Sequence, residues 1–473
     1  MSAHTIKSRR DTFMANPHKA LWTLSVPVMV GMIVQTVYSI ADMIFIGRIS
    51  PEAIAAMAFN VPLVFFSIGI TFGLGSGVTA LIARFIGADD KQQAENTAEH
   101  GLVLGSGIGI VFTIAGLIFG DAILSGIGCP PELMADATGY FRIIAIGFVF
   151  TIAAVFLRSI FTGEGDTKTP MIFQAIGTVL NIILDPIFIF WLDMGVQGAA
   201  LATILSQFFV TLALIYTMLV QKKSYLQFNF RVFQFNTYII KEVLRIGIPA
   251  SLSMIIMSSG AALFNFILIY FSPSAVAAFQ VASRLDQLYF LPILSIGGGM
   301  VTLVGMFYGA KRLDLIYDII KYGLSRSILI GVVSGVIFYI IAPYVFPVFS
   351  PDIEIQQIAT QYIRVMTFVY PLISVGMISG RSMQGLGAGM PQLMITAIRV
   401  ALVSGPLAYV FTFYMDKPMI WVWYALAISV VAAAGTGSLW LRHRLHLTRD
   451  QFQHDTQINQ NGIPDKLAPQ QTR

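Results

Sequence analysis

The sequence predicts an all-α polytopic membrane protein, with twelve transmembrane helices in two six-helix lobes related by a pseudo-two-fold axis along the membrane normal. The first observation behind this prediction is composition. Of the 473 residues, 56% are hydrophobic and only 11% are charged, against roughly 25% charged in soluble proteins. The mean hydropathy is +0.76. The other two observations are a series of long apolar stretches and an internal repeat.

The apolar stretches are long enough to cross a bilayer, which takes about 20 residues of helix. About twelve such spans can be read from the chain. They lie near residues 20–47, 54–83, 99–120, 138–160, 169–192, 196–220, 243–270, 275–308, 323–348, 357–380, 390–415 and 418–441.

The repeat relates the two halves of the chain at a constant offset in numbering. Matching pairs include Pro27 and Pro249, Pro51 and Pro273, Gly87 and Gly309, Tyr140 and Tyr362, and Arg142 and Arg364. The offset is shorter by one position at Pro170 and Pro391. Each half holds an even number of spans, so both copies have the same orientation in the membrane.

The repeat and the polar connections divide the chain into four parts. We expect an N-lobe over residues 1–220 and a C-lobe over residues 241–445. Residues 221–240 form the longest polar connection and are predicted to be a cytoplasmic linker. Residues 446–473 are polar, show no apolar periodicity and are predicted to be a disordered cytoplasmic tail.

Charge in the connections predicts the orientation by the positive-inside rule. Basic residues collect in alternate connections, and acidic residues such as Glu132, Asp136 and Asp352 collect in the others. Both termini are therefore expected in the cytoplasm, with the protein in the inner, or cytoplasmic, membrane. The net charge of +5 comes from dispersed loop residues, which does not indicate nucleic-acid binding. The single cysteine, Cys129, excludes an intrachain disulfide.

Two aspartates, Asp42 and Asp185, lie deep inside apolar spans and at equal depth. Each follows a proline of its own span by 15 residues, roughly 22 Å along a helix. A carboxylate within the bilayer costs at least about 2.5 kcal/mol and usually faces a cavity that carries ions or protons. The pair therefore indicates transport.

Further oxygen-bearing groups lie at the same depth. Asn181 precedes Asp185 by four residues and Tyr38 precedes Asp42 by four, so each shares a helix face with its aspartate. Ala199, through its carbonyl, and Thr203 lie in the same layer of the sixth span. The predicted cation or proton site is Asp42, Asn181, Asp185, Ala199 and Thr203. An oxygen-only set suits Na⁺ as well as H⁺, with Asp42, Asn181, Asp185 and Thr203 as the sodium ligands.

Pro27 and Tyr38 are predicted to govern bending of the first span, because an internal proline removes a backbone hydrogen bond and permits a kink. The second half lacks an equivalent carboxylate pair, since Asp42 is matched there by Phe264. It carries Arg284 and Asp286, which are two residues apart and need partners on other helices, and also Arg399. The residues proposed to line a substrate cavity are Gln35, Asn60, Met254, Met257, Arg284, Asp286 and Tyr289.

These residues, together with the segment Gly163-Glu-Gly-Asp-Thr-Lys-Thr-Pro170, resemble the multidrug and toxic compound extrusion (MATE) family, and most of all its DinF-type prokaryotic branch. The resemblance covers residues 18–445. It implies two six-helix bundles in a V, and antiport of small organic compounds, amphipathic or cationic, against H⁺ or Na⁺. It also implies that Asp42, Asn181, Asp185, Ala199 and Thr203 bind the cation. We expect a monomer in the lipid bilayer without a cofactor.

Three other functions are weighed against this one. A lipid-linked oligosaccharide flippase shares the two-lobe plan but needs several basic residues in its cavity, where only Arg284 and Arg399 qualify. An intramembrane aspartyl protease would use the Gly163-Glu164-Gly165-Asp166 motif, which lies in a polar loop instead. A passive channel usually needs a ring of like groups. The chain is not expected to be an enzyme.

Overall fold

The structure, a computed structural model, describes residues 9–228 and 233–460. Within these ranges twelve helices are long and apolar enough to cross a membrane, in agreement with the predicted number. We call them spans 1–12. A short helix, Arg10–Ala15, precedes them.

The N-lobe contains spans 1–6. Their bounds are Pro17–Gly47, Pro51–Gly87, Lys91–Gly126, Pro131–Gly163, Lys168–Pro186 and Gly195–Leu219, and span 5 continues as a π-helix over Ile187–Trp191.

The C-lobe contains spans 7–12. Spans 7–10 are Thr237–Ile269, Pro273–Gly309, Leu313–Phe349 and Ile353–Gly385. Span 11 is assembled from Met390–Ala397, the π-helix Ile398–Ser404, Gly405–Tyr409 and the π-helix Val410–Tyr414, and span 12 is Ile420–Gln460.

The repeat is visible in how the helices begin. Spans 2 and 8 each start with a proline at the first helical position, preceded by a serine that caps the helix. Ser50 Oγ accepts a hydrogen bond from Ala53 N, and Ser272 Oγ accepts one from Ala275 N, both at 3.1 Å. A serine cap followed by proline satisfies or removes the free N–H groups of the first turn. The same local sequence therefore starts the same helix in both lobes.

The repeat also extends to the packing inside each lobe. A Cβ atom on Gly109 would lie 2.8 Å from Val149 Cα, and one on Gly331 would lie 2.9 Å from Pro371 Cα. Gly331 is the repeat mate of Gly109, and Pro371 is the repeat mate of Val149. Each glycine lets two helices approach to backbone contact, which small residues permit in membrane proteins. The two lobes are thus built alike, as the pseudo-two-fold arrangement requires.

The lobes meet most closely at one end of the molecule, where spans 2, 4, 8 and 10 end. We call this the basic end, because Arg84, Arg158 and Arg312 lie near it. A Cβ atom on Gly87 would lie 1.9 Å from the carbonyl oxygen of Met306, and one on Gly309 would lie 1.8 Å from that of Arg84. The contact between Ser251 Oγ and Ile70 O, at 2.8 Å, lies nearer the middle of the bilayer.

The linker between the lobes is shorter than predicted and is attached to the N-lobe. Span 7 begins at Thr237, so the last four residues of the predicted linker 221–240 are helical, and residues 229–232 lie outside the described part. Glu164, in the loop between spans 4 and 5, accepts hydrogen bonds from Ser224 Oγ at 2.6 Å and Leu226 N at 3.3 Å. The buried carboxylate thereby fixes the start of the linker.

The prediction of a disordered tail from residue 446 is wrong as far as residue 460, because span 12 continues as a helix to Gln460. The helix extension packs on the loop after span 8. Lys311 Nζ lies 2.7 Å from Asp455 Oδ2, and Tyr308 Oη donates to Gln451 Oε1 at 3.2 Å. The extension is held by polar contacts to residues far earlier in the chain. Its sequence has no apolar periodicity, so the helix could not be predicted from the sequence. Residues 461–473 lie outside the described part.

Candidate functional site

Three polar residues of the predicted site are buried together in the N-lobe. Asp42 is 4% exposed, Asn181 2% and Asp185 0%. Asn181 and Asp185 lie one turn apart on span 5, and Asn181 Nδ2 donates to Asp185 Oδ1 at 3.2 Å. Asp42 approaches from span 1, and the two carboxylates interact electrostatically. The i to i+4 spacing of span 5 therefore forms one half of the site, and the packing of span 1 against span 5 brings in the other.

Thr203 connects this cluster to span 6. Its Oγ1 lies 3.0 Å from Tyr38 Oη and 3.5 Å from Asn181 Nδ2. Tyr38 is thus hydrogen-bonded within the cluster, in addition to its predicted role in the movement of span 1. Ala199 is buried one turn before Thr203 on the same helix, and it offers no side-chain oxygen.

Three oxygens of the cluster lack a hydrogen-bond partner among the described residues. They are Asp42 Oδ1, Asn181 Oδ1 and Asp185 Oδ2, and all are buried. A buried polar atom without a partner costs about 1–3 kcal/mol. A sodium ion coordinated by these oxygens removes that cost, and a proton on one carboxylate reduces it. The donor set therefore fits a small cation.

The chemistry of the set does not match a transition-metal centre. Within residues 9–228 and 233–460, no group of three or more histidine, cysteine, aspartate or glutamate side chains is arranged around a common point. The available ligands are carboxylate, amide and hydroxyl oxygens, which hard cations prefer.

Tyr140 is buried within electrostatic range of the site and was not predicted from the sequence. It is 6% exposed and interacts electrostatically with both Asp42 and Asp185. The available signal was the repeat, in which Tyr140 is paired with Tyr362. A tyrosine in an apolar span is usually interpreted as packing, so the pairing alone did not indicate a role.

Each of the two helices that carry the carboxylates contains a proline. Span 1 is one continuous helix from Pro17 to Gly47 with Pro27 inside it. In span 5, Pro186 follows Asp185 directly, and the helix then becomes π-helical over Ile187–Trp191. A proline removes a backbone hydrogen bond and π-helical turns are frequent at functional sites. Both elements that carry the carboxylates therefore contain a weak point in their hydrogen bonding.

A second polar chain lies closer to the basic end. Gln174 Nε2 donates to Gln35 Oε1 at 2.8 Å, and the Arg158 guanidinium donates to Gln174 Oε1. Arg158 lies inside span 4, within the predicted span 138–160. Its charge is tolerated there because Gln174 and the carbonyl oxygen of Ala154 accept its hydrogen bonds.

The residues proposed for a substrate cavity do not form one surface. Gln35 and Met257 are exposed and Met254 is half-buried, where it lies against Gly69 of the other lobe. Asn60 is 1% exposed and donates to the carbonyl oxygens of Ala56 and Ala137. Asn60 therefore supports the core of the N-lobe rather than lining open space.

The acidic residue of the C-lobe is held by tyrosines. Asp286 accepts hydrogen bonds from Tyr362 Oη at 2.6 Å and Tyr370 Oη at 2.5 Å, one on each oxygen. Tyr289 is fully buried and stacks on Tyr370. Asp286 and Tyr289 thus form part of the C-lobe core, so their assignment to an open cavity is not supported by this conformation.

The basic residues near Asp286 form no ion pair with it. Arg284 is exposed. Arg399 lies in the first π-helix of span 11 and interacts with Asp286 electrostatically, but the described residues show no salt bridge between them. The ion pair expected for Asp286 is therefore replaced by hydrogen bonds to two hydroxyl groups, because tyrosines on span 10 face span 8.

Asp166, the aspartate of the protease-like motif, caps a helix. Its Oδ1 accepts from Lys168 N and Thr169 N, both at 3.1 Å, and Arg9 lies 3.2 Å from its Oδ2. The motif therefore forms a loop that starts span 5, which is a structural role.

Two repeat-related lobes of six spans, with a pair of carboxylates that keep unpartnered oxygens inside one of them, define a membrane transporter of the ion-coupled kind. The family model described as MatE matches residues 27–187 and 249–410. The two matches begin at Pro27 and Pro249, which are a repeat pair, and together they cover more than half of the chain. The protein belongs to the MATE family.

Relatives and solved structures agree with this assignment. The chain is 26% identical to the probable multidrug resistance protein NorM of Thermotoga maritima, over 87% of this chain and 89% of the relative. It is 26% identical to the multidrug export protein MepA of Staphylococcus aureus, over 93% and 95%. A solved outward-facing multidrug resistance MATE transporter of the MOP superfamily superposes with a TM-score of 0.88 at 32% identity, over 94% of this chain and 99% of that one.

Proposed function

We propose that this protein is a secondary antiporter that exports organic compounds from the cytoplasm in exchange for H⁺ or Na⁺ bound between Asp42 and Asp185. The observation that carries the proposal is the set of three unpartnered, buried oxygens on Asp42, Asn181 and Asp185. Membership of the MATE family and the names of its multidrug-exporting relatives support the direction and the substrate class.

The orientation follows from charge. The basic end carries both described ends of the chain and the arginines near Gly87, Gly163 and Gly309, so the positive-inside rule assigns it to the cytoplasm. Because the lobes touch at this end, the conformation is closed to the cytoplasm. The carboxylates lie toward the opposite end, where an external cation would enter.

Binding of the cation would act on span 1 through hydrogen bonds. Tyr38 and Asp42 lie one turn apart on this helix, and Tyr38 is tied to Thr203 of span 6. A cation at the Asp42 and Asp185 oxygens would draw span 1 toward spans 5 and 6. Pro27 lies at the point where the helix can bend in response. The movement would narrow the N-lobe side of the cavity and favour release of the exported compound.

The transported compound would bind between the lobes. Gln35 and Met257 present exposed side chains on spans 1 and 7, and methionine adapts its shape to different apolar ligands. We further propose that the functional unit is a monomer. No cofactor takes part in this scheme, since the ion gradient supplies the driving force.

The test uses the purified protein in liposomes, a fluorescent organic cation as substrate, and separately imposed pH and sodium gradients. We expect D42N and D185N each to lower gradient-driven transport at least tenfold. D136N, which changes an exposed acid of span 4, is the control and should transport like the unmodified protein. Normal transport by both site variants would refute the site.

The variant T203A distinguishes coupling to sodium from coupling to protons. Loss of the Thr203 hydroxyl removes a sodium ligand but no proton acceptor of the carboxylate type. If sodium couples, transport under a sodium gradient should fall more than transport under a pH gradient. Equal loss of transport under both gradients would instead favour a proton site.

A further inference from the structure

Each lobe contains a pocket at the end of the molecule away from the basic end, and the two pockets are repeat mates. The C-lobe pocket, about 790 Å³ in volume, lies between spans 9, 10 and 12. The N-lobe pocket, of about 780 Å³, lies between spans 3, 4 and 6. Seven of the eight residues that line the N-lobe pocket have their repeat mates in the lining of the C-lobe pocket. The two pockets therefore have similar volumes and equivalent positions, and both keep the arginine, Arg142 or Arg364, so each can be compared with the other.

One substitution between the mates changes the charge of the pocket. In the N-lobe, Arg142 forms an ion pair with Asp121, with Nη2 2.7 Å from Oδ2. In the C-lobe, the mate of Arg142 is Arg364, but the mate of Asp121 is Pro343. The N-lobe pocket therefore contains its own counter-ion, and the C-lobe pocket has lost it.

Arg364 has no anionic partner in the part of the chain that the structure describes. Its guanidinium instead lies over the Tyr339 ring, at 5.4 Å from the centroid. An arginine over an aromatic ring gains about 0.5–1 kcal/mol at an exposed site, and this contact leaves its hydrogen-bond donors available. A guanidinium presents these donors in a fork that matches phosphate.

Neutral polar side chains extend the arginine into a polar strip. Gln357, Gln361 and Arg364 recur at intervals of four and three residues, so they share one face of span 10, and Thr360 also lines the pocket. Exposed apolar side chains border the strip, with Phe368 75% exposed one turn further into the span and Tyr339 42% exposed on span 9. The pocket thus passes from a polar, cationic part to an apolar part along the direction of the membrane normal.

We propose that the C-lobe pocket binds a phospholipid of the leaflet away from the basic end, with the phosphate on Arg364 and the polar strip and an acyl chain along Phe368 and Tyr339. A volume of this size accommodates a headgroup with the upper part of a chain. The N-lobe pocket does not bind such a lipid, because Asp121 occupies the arginine and repels the phosphate. This site is separate from the ion site and does not depend on the proposed transport function.

The experiment is native mass spectrometry of the delipidated full-length protein titrated with dioleoylphosphatidylglycerol. Dioleoylglycerol, which has the same chains without a phosphate, and inorganic phosphate serve as the two comparison ligands. We expect one tight phosphatidylglycerol per chain, with weak binding of both comparison ligands. Equal binding of dioleoylglycerol would overturn the role of the phosphate, and equal binding of inorganic phosphate would overturn the lipid.

Four variants test the assignment of residues. R364Q should weaken phosphatidylglycerol binding about tenfold or more, because it removes a charge-assisted hydrogen bond. R142Q, the matched change in the N-lobe, should bind within twofold of the unmodified protein. P343D, which restores the missing carboxylate, should weaken binding like R364Q. D121N frees Arg142 and should create a second phosphatidylglycerol site, weaker than the C-lobe site because Ala135 and Gly139 stand where the C-lobe has Gln357 and Gln361.

The gain of a site by D121N cannot result from misfolding, which keeps the proposal testable if R364Q is unstable. Unchanged binding by R364Q or P343D would overturn the proposal. So would the failure of D121N to bind a second lipid, since the argument rests on the difference between Asp121 and Pro343.

Discussion

Closure of the basic end depends on two glycines related by the repeat, and adding one methyl group to either should open it. In the structure, a Cβ atom on Gly87 would lie 1.9 Å from Met306 O, and one on Gly309 would lie 1.8 Å from Arg84 O. Real Cβ atoms stay at least 3.0 Å from other heavy atoms. G87A or G309A therefore forces the two lobes about 1 Å or more apart at this contact.

The cost of this displacement falls on the closed conformation alone. The obstructing atom is a backbone carbonyl oxygen, so no side-chain rotation can relieve the contact. Overpacking of this kind costs about 1–3 kcal/mol. A conformation in which the lobes are separated at the basic end does not bear that cost. The equilibrium should shift toward it by a factor of roughly 5–150.

The shift can be measured with spin labels at positions 91 and 312, which lie near the basic end on opposite lobes. We expect G87A and G309A each to increase the population with the longer distance. G298A is the matched control on span 8, because a Cβ atom there meets nothing within 4 Å. The reasoning is refuted if G87A and G309A give the same distance distribution as G298A.

Three further predictions concern stability. Burial raises the pKa of the Glu164 carboxyl from an ordinary 4.5 to about 7. The folded state therefore binds this proton more tightly than the unfolded state does. Up to about 3 kcal/mol of the free energy of unfolding should be lost as pH rises from 4.5 through 7. Thermal unfolding in detergent at several pH values should show stability falling with pH in the unmodified protein and falling less steeply in E164Q. Equal pH dependence in the two proteins would contradict this prediction. Y362F and Y370F each leave an oxygen of the buried Asp286 without a donor and should lower the free energy of unfolding by about 1–3 kcal/mol, whereas Y344F, at a residue 78% exposed, should change it little. K311A removes an exposed ion pair worth at most about 1 kcal/mol. It should increase hydrogen exchange in residues 450–455 without changing the global free energy of unfolding. Unchanged exchange there would show that Lys311 does not hold the helix extension.

Hydropathy and the repeat were sufficient to predict the architecture, because each is a property of long segments. Twelve apolar stretches define twelve spans, and a constant offset between matching residues, such as Pro27 and Pro249, defines two lobes whatever the details of packing. Within the ion site, the spacing of Asn181 and Asp185 on one helix implies their hydrogen bond directly. These features require only the period of a helix and the thickness of a bilayer.

Features that depend on contacts between distant helices could not be predicted. Tyr140 and the pair Gln174 and Arg158 acquire partners only when spans 1, 4 and 5 pack together. The helix extension to Gln460 is held by Tyr308 and Lys311, which lie far earlier in the chain. Polar residues without apolar periodicity resemble a disordered tail until such partners are known.

The hydrogen bonds of the buried carboxylates indicate why the ion site should occupy one lobe only. In the C-lobe, Tyr362 and Tyr370 donate to both oxygens of Asp286, so this carboxylate has its hydrogen-bonding needs met within the protein. In the N-lobe, the repeat mate of Asp286 is Val64, so the buried carboxylates of the two lobes occupy different positions in the repeat. Asp42 and Asp185 there retain one unpartnered oxygen each among the described residues. A carboxylate whose oxygens both accept hydrogen bonds is stabilised little by a bound cation. A carboxylate with an unpartnered oxygen gains a new ion–oxygen contact. The difference in hydrogen bonding between these carboxylates therefore supports ion exchange in the N-lobe and a structural role for Asp286 in the C-lobe.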